Sequence, residues 1–194
     1  FAVESDQKLA GKLKAAFGQE RNVTIVCGDF LAYDIREENY NVFSNIPFNI
    51  TNRIVKKLLL AQNPPKNAWL FTQKEATERL AGIPYEQEFS ILTKPWFSYR
   101  IVRNFKRTDF TPVPKVDVVL LHICRRGQEL LPRKEKKPYT MFVQYGYRQQ
   151  KKDLAANFAK IFTYEQWKRL AKSLAFSAHA ETREIRVEAW VGLY

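Results

Sequence analysis

The chain has 194 residues, of which 45% are apolar and 27% charged, and its formal net charge is +12. This apolar content excludes an intrinsically disordered chain, and only 7 Gly and 9 Pro exclude a collagen-like or low-complexity one. No apolar run approaches the roughly 18 residues that a membrane-spanning helix requires. The two cysteines, Cys27 and Cys124, lie far apart and form no CxxC pair, so we expect neither a disulfide framework nor a zinc site. Reduced cytoplasm is the expected compartment.

Strand-like and helix-like segments alternate through the first 125 residues. Short β-branched or aromatic runs predict strands at 1–3, 23–27, 40–44, 69–71, 99–105 and 116–124. Apolar residues at helical spacing predict helices at 6–17, 51–59, where Thr51 is the expected cap, and 74–81. This order is typical of a largely parallel sheet with helices on both faces. The last two strands are joined by a Pro-containing loop without a helix, which predicts an antiparallel hairpin at the edge.

The pattern changes after Cys124. A charged, Pro-containing stretch is followed by residues with helical spacing, and the segment from Thr163 to Gln166 has the sequence of a capping box. We therefore predict an α/β domain over 1–126, a basic linker over 127–137 and a small all-helical domain over 138–194.

Polar residues lie just after the ends of three of the predicted strands. These are Glu4, Asp29 and Asn45. Ligands of open parallel sheets bind beyond the carboxyl ends of the strands, where an acid can accept hydrogen bonds from a ribose. Glu4 suits that role, and Asp29 could accept from the exocyclic amine of a bound adenine. Taken singly, each acid is weak evidence, because an acid at a strand end is more often a helix cap or a solvated turn residue.

The segment Asn45-Ile46-Pro47-Phe48 is a more specific signal. Asn/Asp-X-Pro-aromatic after a strand is the signature of enzymes that methylate amines with S-adenosylmethionine. The exocyclic amine of adenine is a poor nucleophile, and the Asn45 side-chain oxygen and the Ile46 carbonyl can accept its N–H bonds and aim its lone pair at the methyl donor. Pro47 stiffens the loop, and Phe48 offers a face on which a base can stack.

Four segments carry a resemblance to a known family. Glu4, Gly28-Asp29-Phe30, Asn45-Ile46-Pro47-Phe48 and Phe110-Thr-Pro-Val-Pro-Lys-Val-Asp117 occur in the order and spacing of the rRNA adenine N6-methyltransferases. The chain most resembles the erythromycin-resistance (Erm) enzymes, which dimethylate one adenine of 23S rRNA and block macrolide, lincosamide and streptogramin B binding. The resemblance covers essentially the whole chain. It implies a Rossmann-like methyltransferase sheet with a small C-terminal helical domain.

The resemblance also implies a cofactor site. S-adenosylmethionine, without a metal, is the implied cofactor. Glu4 resembles the acid that holds its ribose, and Asp29 and Phe30, which follow Gly28, resemble the pair that reads its adenine. Gly28 and Asn45 are also counted among the cofactor-binding residues.

The target base has an implied site of its own. Asn45 and the Ile46 carbonyl resemble the group that receives the amine. Pro47 and Phe48 complete this catalytic segment. Phe48 and Phe110 resemble the two aromatic walls around a base flipped out of its helix. No acid or base residue is assigned, because the amine can lose its proton after attack.

The sequence departs from the family at one point. Family members have a Gly-rich turn after the first strand, and no GxG occurs among the seven glycines here. We therefore expect the first, central strand and this turn to be missing, so that the resemblance begins in the second strand. A chain that truly lacks this turn is expected to bind cofactor weakly or not at all, and to be inactive.

The charge is concentrated in the second half of the chain. Residues 100–194 carry a net charge of +11, and residues 100–137 hold 11 Lys/Arg against 4 acids. We expect these cations to contact RNA phosphates around the flipped base. They are Arg100, Arg103, Lys106, Arg107, Lys115, Arg125, Arg126, Arg133, Lys134, Lys136 and Lys137. The expected partner is 23S rRNA, before or during ribosome assembly, with no membrane and with the protein as a monomer.

Three alternatives stay open. The small-subunit (16S) rRNA dimethyladenosine transferases share the FTPxPKVD-type motif but usually read NLPY at the position of Asn45-Ile46-Pro47-Phe48. A non-catalytic RNA-binding protein on a methyltransferase-like fold is the second, and methylation of DNA adenine is a disfavoured third. His122 and His179 have no Cys or acid at ligand spacing and are interpreted as structural.

Overall fold

The alternation of strands and helices is present in the computed structural model, which describes residues 1–149, 151 and 153–194. The strands are β1 (Ala2–Glu4), β2 (Ile25–Cys27), β3 (Asn41–Asn45), β4 (Asn67–Gln73), β5 (Phe97–Phe105) and β6 (Val118–Arg125). The helices are α1 (Gln7–Phe17), α2 (Thr51–Leu60), α3 (Lys74–Ala81), α4 (Glu88–Thr93), α5 (Lys136–Arg148), α6 (Leu154–Phe158), α7 (Tyr164–Ser173) and α8 (Val187–Leu193). No helix in these ranges is long and apolar enough to cross a membrane.

The strands form two sheets. β1 and β2 pair in parallel, and the larger sheet has the order β3-β4-β6-β5. β3 and β4 are parallel, whereas β6 runs antiparallel to both of its neighbours. The predicted hairpin of the last two strands is therefore confirmed, with β6 inserted beside β4 and β5 at the edge. No ladder joins β1 to β3 in the described part of the chain.

The two faces of the larger sheet differ. Ala68 and Leu70 of β4 and Leu121 of β6 point into the core and are fully buried. On the opposite face Trp69 is half-buried and Phe43 is 72% exposed. The expectation of helices on both faces is thus met on one face of this sheet only, because α1 packs on β1 and β2 instead.

The hydrophobic core continues from the α/β segment into the helical segment. The Trp96 ring meets the Tyr139 ring edge-on at 6.0 Å, and the Tyr139 hydroxyl donates to the carbonyl of Ile91 at 3.4 Å. The Trp96 indole Nε1 donates to the carbonyl of Leu131 in the linker at 2.9 Å. The linker and α5 are therefore held against the α/β segment by shared apolar and hydrogen-bonded contacts.

Close aromatic packing organises the helical segment. Phe158 is fully buried and stacks on Phe142 with ring centroids 4.8 Å apart. A Cβ atom at Gly146 would lie 2.7 Å from the Trp190 ring and 3.0 Å from the Phe158 ring, so only glycine fits there. The Asn157 amide, 3% exposed, donates to the Gly146 carbonyl at 2.8 Å. Because Gly146 has no side chain, the backbone of α5 comes close to Phe158 and Asn157 of α6, and the two helices share one aromatic core.

Two local predictions have clear outcomes at helix starts. The capping box is confirmed: the backbone N–H of Gln166 donates to the Thr163 hydroxyl at 3.3 Å, and the Gln166 side chain accepts from the Thr163 N–H at 2.8 Å. The prediction that Thr51 caps α2 is wrong. A 3₁₀ turn at Phe48–Ile50 precedes the helix, and Thr51 is buried with its hydroxyl unpaired in the described residues.

Candidate functional site

A cleft of about 510 Å³ lies between the β1–β2 sheet and β3. Its volume is within the usual range of about 300–1,000 Å³ for small-molecule sites. Most of the sequence-predicted cofactor and amine residues line it. These are Glu4, Gly28, Asp29, Phe30, Asn45, Ile46 and Pro47. Phe48 and Phe110 lie outside this lining.

Two carboxylates stand at one side of the cleft. The Oε1 atom of Glu4 accepts the backbone N–H of Asp6 at 2.8 Å, and the Oδ1 atom of Asp29 accepts that of Leu31 at 2.8 Å. The second oxygen of each carboxylate has no hydrogen-bond partner among the described residues. The Gly28 N–H donates to the Glu4 carbonyl at 2.9 Å and ties the two strand ends together. A Cβ atom at Gly28 would meet nothing within 4 Å, so no steric contact requires glycine there.

The cleft also includes residues that the sequence analysis did not select. The Tyr33 hydroxyl donates to Glu37 at 3.1 Å, and both side chains line the cleft together with Tyr40. Burial, and then the negative charge of Glu37, raises the pKa of Tyr40 to about 12, which keeps its phenol protonated near neutral pH. These residues belong to an irregular loop after β2, where no periodicity predicts which side chains point inward.

The Asn-Ile-Pro-Phe segment forms the opposite wall. Asn45 is the last residue of β3 and is exposed, whereas Ile46 is 4% exposed and anchors the segment in the core. The Pro47 carbonyl accepts the N–H of Ile50 at 3.1 Å, and this turn leads directly into α2. The side chain of Asn45 therefore stands at the carboxyl end of a strand, supported by a buried neighbour and a rigid turn.

Phe110 lies in an aromatic group next to this wall. Its ring centroid is 5.7 Å from that of Phe105 and 6.2 Å from that of Phe71. Phe71 is the residue of β4 that pairs with Asn45 of β3. The strand pairing thus brings Phe110 to the neighbourhood of Asn45, although 65 residues separate them in sequence. Phe48 makes no ring contact with this group in the described residues.

The predicted RNA-binding cations fall into two groups. Most are exposed, but Arg125, Arg126 and Lys136 are half-buried. Arg125 donates to the carbonyl of Pro64 and Arg126 to that of Lys94, so both guanidinium groups hold backbone segments together. Burial, and then the charge of Arg133, lowers the pKa of Lys136.

Two of the exposed cations are paired with acids. Arg107 contacts Asp117 at 2.8 Å, and Arg133 contacts Glu129 at 2.9 Å. The exposed cations without an ion pair among the described residues remain available for an external anion. They are Arg100, Arg103, Lys106, Lys115, Lys134 and Lys137.

His122 contacts two neighbouring side chains of β4. Its Nε2 atom is 2.9 Å from the Asn67 amide oxygen, and its ring stacks on Trp69 with centroids 4.7 Å apart. Burial, and then the nearby charge of Arg100, lowers its pKa. No cluster of three or more His, Cys, Asp or Glu suited to a metal occurs in the described ranges. Both cysteines are free thiols.

A family model described as "Ribosomal RNA adenine dimethylase" matches residues 1–193. The chain belongs to this family. It is therefore an enzyme of the rRNA adenine methyltransferase class.

Relatives within the family have several names. An rRNA adenine N-6-methyltransferase of Bacillus anthracis is 27% identical over 100% of this chain and 68% of the relative. The mycinamicin-resistance protein MyrB of Micromonospora griseorubida is 28% identical over 100% of this chain and 61% of MyrB. Ribosomal RNA small subunit methyltransferase A of Nostoc punctiforme is 28% identical over 98% of this chain and 72% of the relative. Sequence identity alone does not separate these groups.

Solved structures confirm the Rossmann-like methyltransferase fold with its helical C-terminal region. The 23S rRNA methyltransferase ErmE superposes with a TM-score of 0.88 at 25% identity, over 98% of this chain and 78% of ErmE. A dimethyladenosine transferase from Plasmodium falciparum has a TM-score of 0.65 at 20% identity, over 90% of this chain and 66% of that protein.

Proposed function

We propose that the protein transfers a methyl group from S-adenosylmethionine to the exocyclic N6 of a flipped adenine in 23S rRNA, and thereby confers macrolide, lincosamide and streptogramin B resistance. The observation that carries this proposal is the convergence of Glu4, Asp29 and Asn45 on one cleft in a chain of the rRNA adenine dimethylase family. The protein is proposed to act in the cytoplasm, as a monomer, before or during ribosome assembly.

The donor set of the cleft suits the adenosine half of S-adenosylmethionine. Glu4 and Asp29 each keep one carboxylate oxygen free of protein hydrogen bonds among the described residues, which matches ribose hydroxyls and an exocyclic amine. Phe30 lies beside Asp29 and offers an aromatic face for adenine. The cofactor, when bound, supplies an electrophilic methyl group on a sulfonium.

Asn45 and Ile46 are proposed to receive the target amine. The Asn45 side-chain oxygen and the Ile46 carbonyl accept the two N–H bonds of the amine, so that the nitrogen lone pair is aimed into the cleft. Aimed acceptors of this kind act through position and electrostatics and need no reorganisation during the reaction. Phe110 and Phe48 are proposed to hold the flipped base by stacking.

The 23S target is favoured over the 16S target by two observations. The segment reads Asn45-Ile46-Pro47-Phe48, and the chain superposes on ErmE with a TM-score of 0.88. Small-subunit methyltransferases at similar identity make 16S rRNA the second candidate.

Labelled methyl transfer from S-adenosylmethionine by the full-length protein separates the two target rRNAs. We expect label in deproteinised 23S rRNA and none in 16S rRNA. The reverse result would assign the 16S activity, and no transfer to either would favour a non-catalytic RNA-binding protein.

The exposed cations without an ion pair among the described residues are proposed to bind RNA phosphates. We expect Arg100→Ala and Arg103→Ala to weaken RNA binding, and each to reduce the slope of log K against log salt by roughly 0.7–0.9 for each lost phosphate contact. Filter binding between low and physiological salt measures this slope. Lys12→Ala, at an exposed position on α1, is the charge-matched control and should leave the slope unchanged. An unchanged slope in both arginine variants would show that these residues face solvent in the complex.

A further inference from the structure

Lys57 of α2 makes contacts that the proposed reaction does not explain. It is half-buried, whereas the adjacent Lys56 is exposed. Its ammonium donates to the backbone carbonyl of Leu31 at 2.9 Å and to that of Tyr33, and it lies 5.5 Å from the centre of the Phe30 ring. These partners precede Lys57 by 24 to 27 residues, so the contacts join two separate elements of the fold.

The two carbonyls belong to the irregular loop of residues 28–40, which links β2 to β3. The loop begins with a tight turn, in which the Asp29 carbonyl accepts the N–H groups of Ala32 and Tyr33 at 3.0 Å each. The loop contains no helix and no strand ladder. Its shape therefore depends on the turn, on side-chain hydrogen bonds within the loop and on contacts from outside it. Of the outside hydrogen bonds, those from Lys57 lie nearest to the turn.

A second contact holds the other half of the same loop. The Asn63 side-chain amide, just after α2, donates to the carbonyls of Ile35 at 3.2 Å and Glu37 at 2.8 Å. The start of α2 follows the Asn45-Ile46-Pro47-Phe48 segment by a single 3₁₀ turn. The segment from α2 to Asn63 thus connects both walls of the cleft. The first residues of α2 continue from the wall that contains Asn45, and Lys57 and Asn63 hold the wall that contains Asp29 and Phe30.

We propose that Lys57 is a positioning residue for the cofactor. Through the Leu31 and Tyr33 carbonyls it holds Asp29 and Phe30 in a fixed place relative to Asn45, and so it sets the position of the cofactor's adenine. This inference rests on the proposed function. Methyl transfer requires donor and amine to be aligned within a fraction of an ångström, and a loop held before binding costs less to order when the ligand arrives. Hydrogen bonds from an ammonium are about twice as strong as neutral ones, so a neutral side chain cannot replace Lys57.

The substitution Lys57→Met tests this role, because it removes the ammonium and keeps most of the aliphatic stem. We expect amide hydrogen exchange of residues 30–37 to accelerate by about tenfold, and that of residues 54–59 in α2 to stay unchanged. In the full-length protein, the Kd for S-adenosylhomocysteine, measured by calorimetry, should rise by about tenfold, whereas the Kd for RNA should change by less than about twofold.

Two further variants keep the test specific. Lys56→Met, on the same helix, removes an exposed ammonium 5.9 Å from the Phe89 ring and should leave all three readouts unchanged. Lys57→Arg should restore both loop protection and cofactor affinity, because a guanidinium keeps the charge and has several N–H donors. A merely structural effect of the methionine would not be rescued in this way.

Unchanged exchange of residues 30–37 in Lys57→Met would overturn the proposal. Equal losses of cofactor and RNA affinity would also overturn it, since they would indicate general destabilisation of the fold. Failure of the unsubstituted full-length protein to bind S-adenosylhomocysteine would count against the proposed function instead. The exchange comparison is made on the free protein. It therefore shows whether Lys57 holds the loop even if the protein binds no S-adenosylhomocysteine.

Discussion

Replacing Asn45 by alanine is expected to reduce methyl transfer by about 10²–10³-fold, the usual effect of losing one aimed hydrogen-bonding group at a reacting centre. Asn45 ends β3 at the edge of the cleft and is exposed, so the substitution removes no core packing. RNA affinity should change by less than about twofold, because phosphate contacts elsewhere supply most of it. Single-turnover transfer of labelled methyl and filter binding of the same RNA measure the two quantities.

Two variants make the Asn45 prediction specific. Asn45→Asp keeps an oxygen acceptor and should retain more activity than Asn45→Ala. Asn49→Ala changes an exposed asparagine in the following 3₁₀ turn and should leave the rate of transfer near that of the unsubstituted protein. Equal losses of methyl transfer and RNA affinity in Asn45→Ala would remove the proposed role, since they would indicate that Asn45 acts in RNA binding.

The largest expected effect on stability is that of Phe158→Ala. Phe158 is fully buried, stacks on Phe142 at 4.8 Å and lies 6.0 Å from the Trp190 ring, so truncation leaves a cavity in a close-packed aromatic core. We expect the free energy of unfolding to fall by about 3–5 kcal/mol, measured by urea denaturation. Because Trp96 and Tyr139 join this core to the α/β segment, circular dichroism and tryptophan fluorescence should report one shared transition.

Phe43→Ala is the matched control for this prediction. Phe43 is 72% exposed, and its ring meets only the edge of Phe71 at 5.7 Å among the described aromatic contacts. Its loss should cost less than about 1 kcal/mol, as is usual for surface positions. A similar cost in both variants would contradict the assignment of Phe158 to the core. Separate transitions in the two probes would show that the helical segment unfolds independently of the α/β segment.

Features that depend on neighbouring residues were predictable from the sequence. The β-branched run before Cys27, the polar residues after three strands and the capping box at Thr163 are local patterns, and the structure contains each element. The short helix α4 was missed because its six residues, Glu88–Thr93, are too few to show helical periodicity. The expected cap at Thr51 failed because a backbone turn begun by Pro47 took its place.

Interactions between distant residues could not be predicted in this way. The sequence counted Arg125 and Arg126 among the RNA-binding cations, but their guanidinium groups donate to carbonyls 61 and 32 residues away. Lys57 resembled any other lysine on an amphipathic helix, although its partners lie in a different loop. The pairing of long polar side chains depends on which backbone groups the fold leaves unsatisfied nearby, and no local pattern records that.

By itself the sequence determined the α/β class and located the three strand-end residues and the Asn45-Ile46-Pro47-Phe48 segment, because side-chain period and the residue that ends a strand are local properties. Only the tertiary structure decided that Glu4, Asp29 and Asn45 share one cleft and that Phe110 reaches the neighbourhood of Asn45 through Phe71. It also decided which cations have no ion pair among the described residues. These facts depend on strand order and register, which arise from contacts between residues far apart along the chain.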